Sequence, residues 1–214
     1  MTGVQTCALP ISDLFAQMIK QELESEGVAI DYLITEEKEQ TGCSVILRGS
    51  DGGRSIMVSR SAANMLDDYD IPLEYLIGRD WLYLSSLGGN LNSLSEIWQV
   101  FEHQPKIGFT WNPGKKELQA LAAGKLSLPV VKNSIFVVNQ QEWEIVLALQ
   151  KEILKQFSYV IITAGKAQGT VYFQGQKAAQ INPNQDPAIE ETGAGDAFRS
   201  EEHTSELQSP TSIS

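Results

Sequence analysis

The chain has 214 residues, with 16 Lys and Arg against 27 Asp and Glu and a formal net charge of −11. Nucleic acid and anionic membranes are held by clustered basic side chains, so both are excluded as expected partners. No apolar run approaches the ~20 residues of a membrane span, and Cys7 and Cys43 make no disulfide framework, so a reducing cytoplasm is the default location.

Both ends look foreign to the rest. Arg199–Ser209 reads as the translation of one strand of a common sequencing-library adapter, and Met1–Ile11 as the translation of its reverse complement from a GTG start. Two unrelated tails would almost never arise from opposite strands of one oligonucleotide. Residues 1–11 and 199–214 are therefore expected to be adapter-derived and are set aside from fold reasoning. The segment 12–198 remains, open at both ends. Without Arg199, Glu201, Glu202 and Glu206 it holds 15 basic and 24 acidic residues, net −9. Its length suits one domain of ~100–200 residues. Its sole histidine is His103, which excludes a His/Cys metal site.

In chain order, Asp13–Glu26 reads as a helix with Leu14, Phe15, Met18, Ile19 and Leu23 on one face and Gly27 as its stop. Val28–Ile34 is an expected strand, and Thr35–Gln40 a solvated connection. Two β-rich runs around Asp51-Gly52-Gly53 predict a hairpin over about 41–60, and their partial alternation suits one covered face. On pattern alone this is an edge hairpin, and Arg54 an exposed turn arginine. Asn64, in Ser61-Ala62-Ala63-Asn64, is a turn asparagine or a substrate contact, the two readings about equal.

From Trp81 onward strands alternate with helices. Strands are expected at Trp81–Leu84, Ile107–Trp111, Ile135–Val138 and Tyr159–Ile162, and helices at Leu94–Gln104, Glu117–Ala123 and Trp143–Phe157. Such alternation implies parallel βαβ units with helices on both faces. Ligands then bind beyond the carboxyl ends of the strands. Ser85–Gly89, Asn112-Pro113-Gly114, Asn139–Glu142 and Thr163-Ala164-Gly165 each follow a strand, so all fall on that edge.

Each cluster has a structural and a chemical reading. Asn139-x-x-Glu142 is a common helix cap with a first-turn acid. It also supplies the single carboxylate that suffices for Mg²⁺ when phosphates provide other ligands. Thr163-x-Gly165 is a loop into the strand pair beginning at Thr170, or a nucleotide turn. Lys115 and Lys116 are exposed lysines early in a helix, or attract phosphate. Thr192-Gly193-Ala194-Gly195-Asp196 opens an apolar helix start, where unpaired backbone N–H groups make an anion site. Asp196 inside that turn would repel phosphate, and the role that fits it is to take a proton from an attacking hydroxyl. No Walker-type loop and no protein-kinase motif set is present.

Ile189–Phe198 resembles the second motif of the PfkB (ribokinase-like) carbohydrate kinases, Asp-Thr-x-Gly-Ala-Gly-Asp-x-Phe. Thr192 through Phe198 match it, while Glu190 and Glu191 stand where that family usually has Asp and Thr. Thr41-Gly42-Cys43-Ser44, Gly52–Ile56, Ala63-Asn64, Asn112-Pro113 and Asn139-x-x-Glu142 resemble further family motifs in family order. Thr163-x-Gly165-x-x-x-Gly169 does so with one extra residue. The resemblance implies a three-layer α/β/α fold with a mostly parallel sheet and a β-hairpin lid, truncated at both ends. It implies ATP and Mg²⁺ as cofactors and phosphoryl transfer to a hydroxyl of a sugar-like small molecule. Asp196 would be the base, with Gly193, Ala194 and Gly195 at the transferring phosphoryl group. Asn139, Glu142, Thr163, Gly165 and Thr192 would serve nucleotide and metal, and Asn64, Asn112 and Arg54 the substrate. A homodimer through the hairpin is a further implication. A nucleoside kinase of this fold, or a catalytically inactive nucleotide-binding or regulatory protein, are the alternatives. The 214-residue chain itself is expected to be inactive, because neither pocket is complete.

Overall fold

The computed structural model describes residues 13–48, 54–66, 70–165 and 167–182, with only the backbone given for Arg48, Arg54 and Asn64. Helix α1 (Leu14–Ser25) starts where expected, because the Asp13 side chain accepts the Ala16 N–H at 2.8 Å. It closes with Gly27 N–H on the Glu24 carbonyl and Val28 N–H on the Leu23 carbonyl, the paired bonds of a Schellman end. Leu14, Phe15, Met18 and Ile19 are exposed, and Ala16 is the helix's buried residue.

The strand expected at Val28–Ile34 does not form. Ala29 makes an isolated bridge, and the Leu33 N–H turns back onto the Ile30 carbonyl at 2.9 Å. Val28 is engaged in closing α1, and the turn at Asp31–Tyr32 cuts the apolar run short. Tyr32 packs instead against Tyr75, ring centroids 4.2 Å apart.

The hairpin is present. Strands β1 (Cys43–Arg48) and β2 (Arg54–Ser59) pair antiparallel from Cys43 opposite Ser59 to Arg48 opposite Arg54. They form a sheet of their own, separate from the main one. Val45, Ile46, Leu47, Ile56, Met57 and Val58 are all exposed. Consecutive strand residues face opposite ways, so both faces are open, and the single covered face expected from the sequence is absent among the described residues. The base of the hairpin is pinned. Thr41 is buried, its N–H and hydroxyl donate to Asp13, and Ala62 N–H donates to the Gln40 carbonyl.

The main sheet has the order β3 (Trp81–Leu84), β4 (Gly108–Trp111), β5 (Ser134–Asn139), β6 (Tyr159–Thr163), β7 (Gly169–Phe173), β8 (Gln176–Ile181). The first four strands run parallel, and the last two close the sheet as an antiparallel hairpin. The crossovers are α2 (Leu91–His103), α3 (Lys115–Ala122), and α4 (Gln140–Ile145) with α5 (Gln150–Gln156).

Side-chain alternation and strand register put Leu84, Phe109, Trp111, Phe136, Val138, Val160 and Ile162 on one face. All seven belong to one core cluster with Leu94, Ile97, Trp98 and Phe101 of α2, Leu118 and Leu121 of α3, and Trp143 and Ile153 further on. Aromatic rings carry much of it: Trp98 meets Trp111 edge-on at 5.1 Å, and Phe136 meets Phe157 at 5.0 Å. The other face of β4 holds Gly108 and Thr110, with Trp81 lying over them and its indole N–H on Thr110 Oγ1 at 3.0 Å.

The helix expected from Trp143 to Phe157 is interrupted by a 3₁₀ turn at Leu147–Leu149. The Gln150 side-chain amide donates to the Trp143 carbonyl at 3.0 Å, in place of continued helical bonding, and Leu149 N–H bonds Val146 three residues back. Among the described residues, no helix is long and apolar enough to cross a membrane.

Candidate active site at the carboxyl edge of the sheet

The parallel strands end on one edge, and their loops gather most of the described candidates there. Asn139 ends β5 and caps α4. Its Oδ1 accepts the Glu142 N–H and Glu142 Oε2 accepts the Asn139 N–H, each at 2.9 Å, a complete capping box. The structural reading of this pair is therefore realised. It leaves Glu142 half-buried at the edge, with no hydrogen bond to Oε1 among the described residues.

Thr163 ends β6 directly opposite Asn139, and its hydroxyl leans toward the Val138 carbonyl at 3.5 Å. Gly165 follows in a turn closed by the Ala167 N–H on the Ala164 carbonyl. It is exposed, and nothing lies within 4 Å of where a Cβ would sit. Asn139, Glu142, Thr163 and Gly165 thus share the β5–β6 end of the edge. Gly169 opens β7, where a Cβ would meet the Ile162 carbonyl at 2.8 Å, so close backbone approach explains that glycine.

Asn112 follows β4 and ties three strands together. Its backbone N–H donates to the Leu84 carbonyl of β3 and its side-chain amide to the Val137 carbonyl of β5, both at 2.8 Å. The side chain is half-buried with its amide engaged in the sheet. Lys115 and Lys116 are exposed on the first turn of α3. Asn64 closes the 3₁₀ turn Ser61–Asn64 after the hairpin, and Arg54 opens β2; their side chains lie outside the described residues. Thr192, Gly193, Ala194, Gly195 and Asp196 also lie outside them.

Two features escaped the sequence reading. The first is the link from Asp13 to Thr41: beyond capping α1, for which Ser12 or Asp13 is the residue expected from the sequence, the Asp13 carboxyl joins α1 to the foot of the hairpin. Hydrogen bonds from the Ala16 and Thr41 N–H groups hold its pKa below the ordinary 3.8. The second is Glu117, fully buried on the first turn of α3. A signal for it existed: Glu117 precedes the buried Ala120 and Leu121 by three and four residues, on their face of the helix. Among the described residues, no group of three or more His, Cys, Asp or Glu is placed to hold a metal. A cavity of ≈ 510 Å³ beside Leu121, Leu128 and Lys155 is lined by none of the candidate residues.

The chain belongs to the pfkB family of carbohydrate kinases, whose family model matches residues 12–200. An uncharacterized sugar kinase of Archaeoglobus fulgidus is 24% identical over 195 residues, covering 87% of this chain and 76% of the relative. Among solved structures, a putative ribokinase II of E. coli in complex with ATP and Mg²⁺ superposes with TM-score 0.73 at 16% identity, over 92% of this chain and 68% of that one. The Burkholderia thailandensis nucleoside kinase in complex with inosine gives TM-score 0.71 at 17% identity, over 91% and 64%. These neighbours define a ribokinase-like α/β fold, and the chain spans roughly two thirds of their length.

Proposed function

We propose that the protein to which this chain belongs is an ATP- and Mg²⁺-dependent kinase that phosphorylates a hydroxyl of a sugar or nucleoside. The observation that carries the proposal is the meeting of Asn139, Glu142, Thr163 and Gly165 on one stretch of the sheet's carboxyl edge, in a chain of the pfkB family. Nucleotide phosphates belong at this β5–β6 end. The acceptor belongs toward β3, β4 and the hairpin, where Asn112 stands and where Arg54 and Asn64 come in sequence. Strand spacing of ~4.8 Å sets β3 and β6 about 14 Å apart, room for a donor and an acceptor side by side.

Asp196 takes the proton of the acceptor hydroxyl. Gly193, Ala194 and Gly195 offer backbone N–H groups to the transferring phosphoryl group, whose charge needs fixed donors more than covalent help, and Thr192 serves the nucleotide. Glu142 fits a magnesium held with few protein ligands, because it is a half-buried carboxylate whose Oε1 makes no hydrogen bond among the described residues. Bound there, the ion would neutralise phosphate charge. Asn139 holds Glu142 in place through the capping box.

The hairpin covers the acceptor with one face and offers the other to a second copy of the chain, as its two exposed apolar faces, Val45, Leu47 and Met57 on one and Ile46, Ile56 and Val58 on the other, favour. The decisive experiment is ATP consumption by the complete gene product against a panel of sugars and nucleosides. Acceptor-dependent ADP release supports the reading. ATP binding without turnover on any acceptor favours the inactive regulatory alternative. Light scattering at micromolar concentration then reads the dimer, which Val58→Lys should dissociate.

A further inference from the structure

The Ser86–Gly89 loop after β3 is held by one buried carboxyl. Glu117 Oε1 accepts the Ser86 hydroxyl at 2.8 Å and the Gly89 N–H at 3.0 Å, and the Gly88 N–H donates to Ser86 Oγ at 3.1 Å. Both glycines have positive φ, +68 for Gly88 and +90 for Gly89, a backbone path that other residues resist. Their N–H groups are spent inward on this network, so this Gly-Gly pair is no phosphate cradle.

Glu117 sits at the amino end of α3, where a carboxylate is favoured by the helix dipole. Its second oxygen is buried and has no hydrogen-bond partner among the described residues, and a Cβ on Gly114 would lie 2.9 Å from it. A buried acid with one oxygen unpaired is costly, so its cost must be offset by what it holds. What it holds continues outward. Asn90, next after Gly89, caps α2 and donates its side-chain amide to the Leu66 carbonyl at 3.3 Å, just past the exit of the hairpin. Gly114, from the loop after β4, packs closely against both Ser86 and the Glu117 carboxyl.

We infer that Glu117 is a positioning residue: it sets the Ser86–Gly89 loop, and through Asn90 the exit of the hairpin, as the wall of the acceptor side of the cleft. This rests on the kinase reading above. Glu117 touches neither reactant. Its loss loosens the acceptor's wall and leaves the β5–β6 nucleotide end unaltered.

The test compares Glu117→Leu, Glu117→Gln and Ser86→Ala in the complete gene product, by amide hydrogen exchange and by steady-state kinetics. A charge-assisted clamp of this kind predicts ~10-fold faster exchange at Gly88–Gly89 and about 10-fold higher KM for the acceptor in Glu117→Leu. KM for ATP should stay within about twofold, and protection in α2 beyond its first turn should be unchanged. Glu117→Gln, which keeps the accepting oxygen, should recover most of both losses. Ser86→Ala should expose Gly88 alone and supplies the answer if Glu117→Leu does not fold. Unchanged exchange in the loop overturns the clamp whether or not the protein is a kinase. Faster exchange with unchanged acceptor KM makes Glu117 merely structural and overturns its positioning role. A wild-type protein with no turnover on any acceptor, its loop still protected, defeats the kinase reading and this role with it, leaving only the clamp.

Discussion

Asn139 and Glu142 exchange two hydrogen bonds, side chain to backbone in each direction, both 2.9 Å long. The same two residues therefore start a helix and present a carboxylate at the sheet edge. Glu142→Gln separates the roles, because Gln serves in a capping box as Glu does. Thermal stability should change by less than ~0.5 kcal/mol, while the Mg²⁺ concentration needed for half-maximal activity should rise about tenfold or more. A melting curve and a Mg²⁺ titration of the same preparation check both halves.

Gly108 is held to glycine by its neighbour. A Cβ there would lie 2.0 Å from Trp81 Cε3, and Trp81 is fixed by its bond to Thr110. Gly108→Ala should cost ~1–3 kcal/mol in urea unfolding, the usual cost of overpacking. Adding Trp81→Ala should recover part of that loss, which a merely conformational effect of alanine would not allow.

Asp13 makes the foot of the hairpin acid-sensitive. Its carboxyl is held below 3.8 by hydrogen bonds, first from Ala16 and then from Thr41. A depressed pKa contributes stability that is present above 3.8 and is lost as pH falls through the lower folded value. Asp13→Asn keeps the helix cap and removes the titration. Exchange protection of Thr41 should therefore fall as the pH drops below 3.8 in the wild type and be lower and flat with pH in the variant, whose amide nitrogen cannot accept the Thr41 N–H.

The sequence was most legible where period and burial agreed. The central strands could be located because strands covered on both sides read as short, mostly apolar runs, as in Phe109–Trp111 and Phe136–Val138, and the half-exposed β3 and β6 still carry Trp81–Leu84 and Tyr159–Ile162. It was least legible where one side chain redirected the backbone. The expected helix is interrupted at Leu147–Leu149, where the Gln150 amide takes the Trp143 carbonyl, and Val28 is captured by the end of α1; neither event has a periodic signature. The site was legible as loops on one edge, since topology alone places it there. The double duty of Asn139 and Glu142 and the burial of Glu117 depend on distances that spacing does not encode. The Gly193–Asp196 turn was read from its motif and lies outside the described residues.

That turn carries the central claim. The measurement that tests it is turnover and ATP affinity of Asp196→Asn in the complete gene product beside the wild type. A general base contributes ~10²–10⁴-fold, so kcat should fall by about that factor. ATP affinity should hold or rise, because a carboxylate that repels the phosphates is gone while the backbone N–H groups of Gly193–Gly195 remain. Near-normal turnover in Asp196→Asn would contradict the account, since Asn caps a helix about as well as Asp and the turn would then be structural alone.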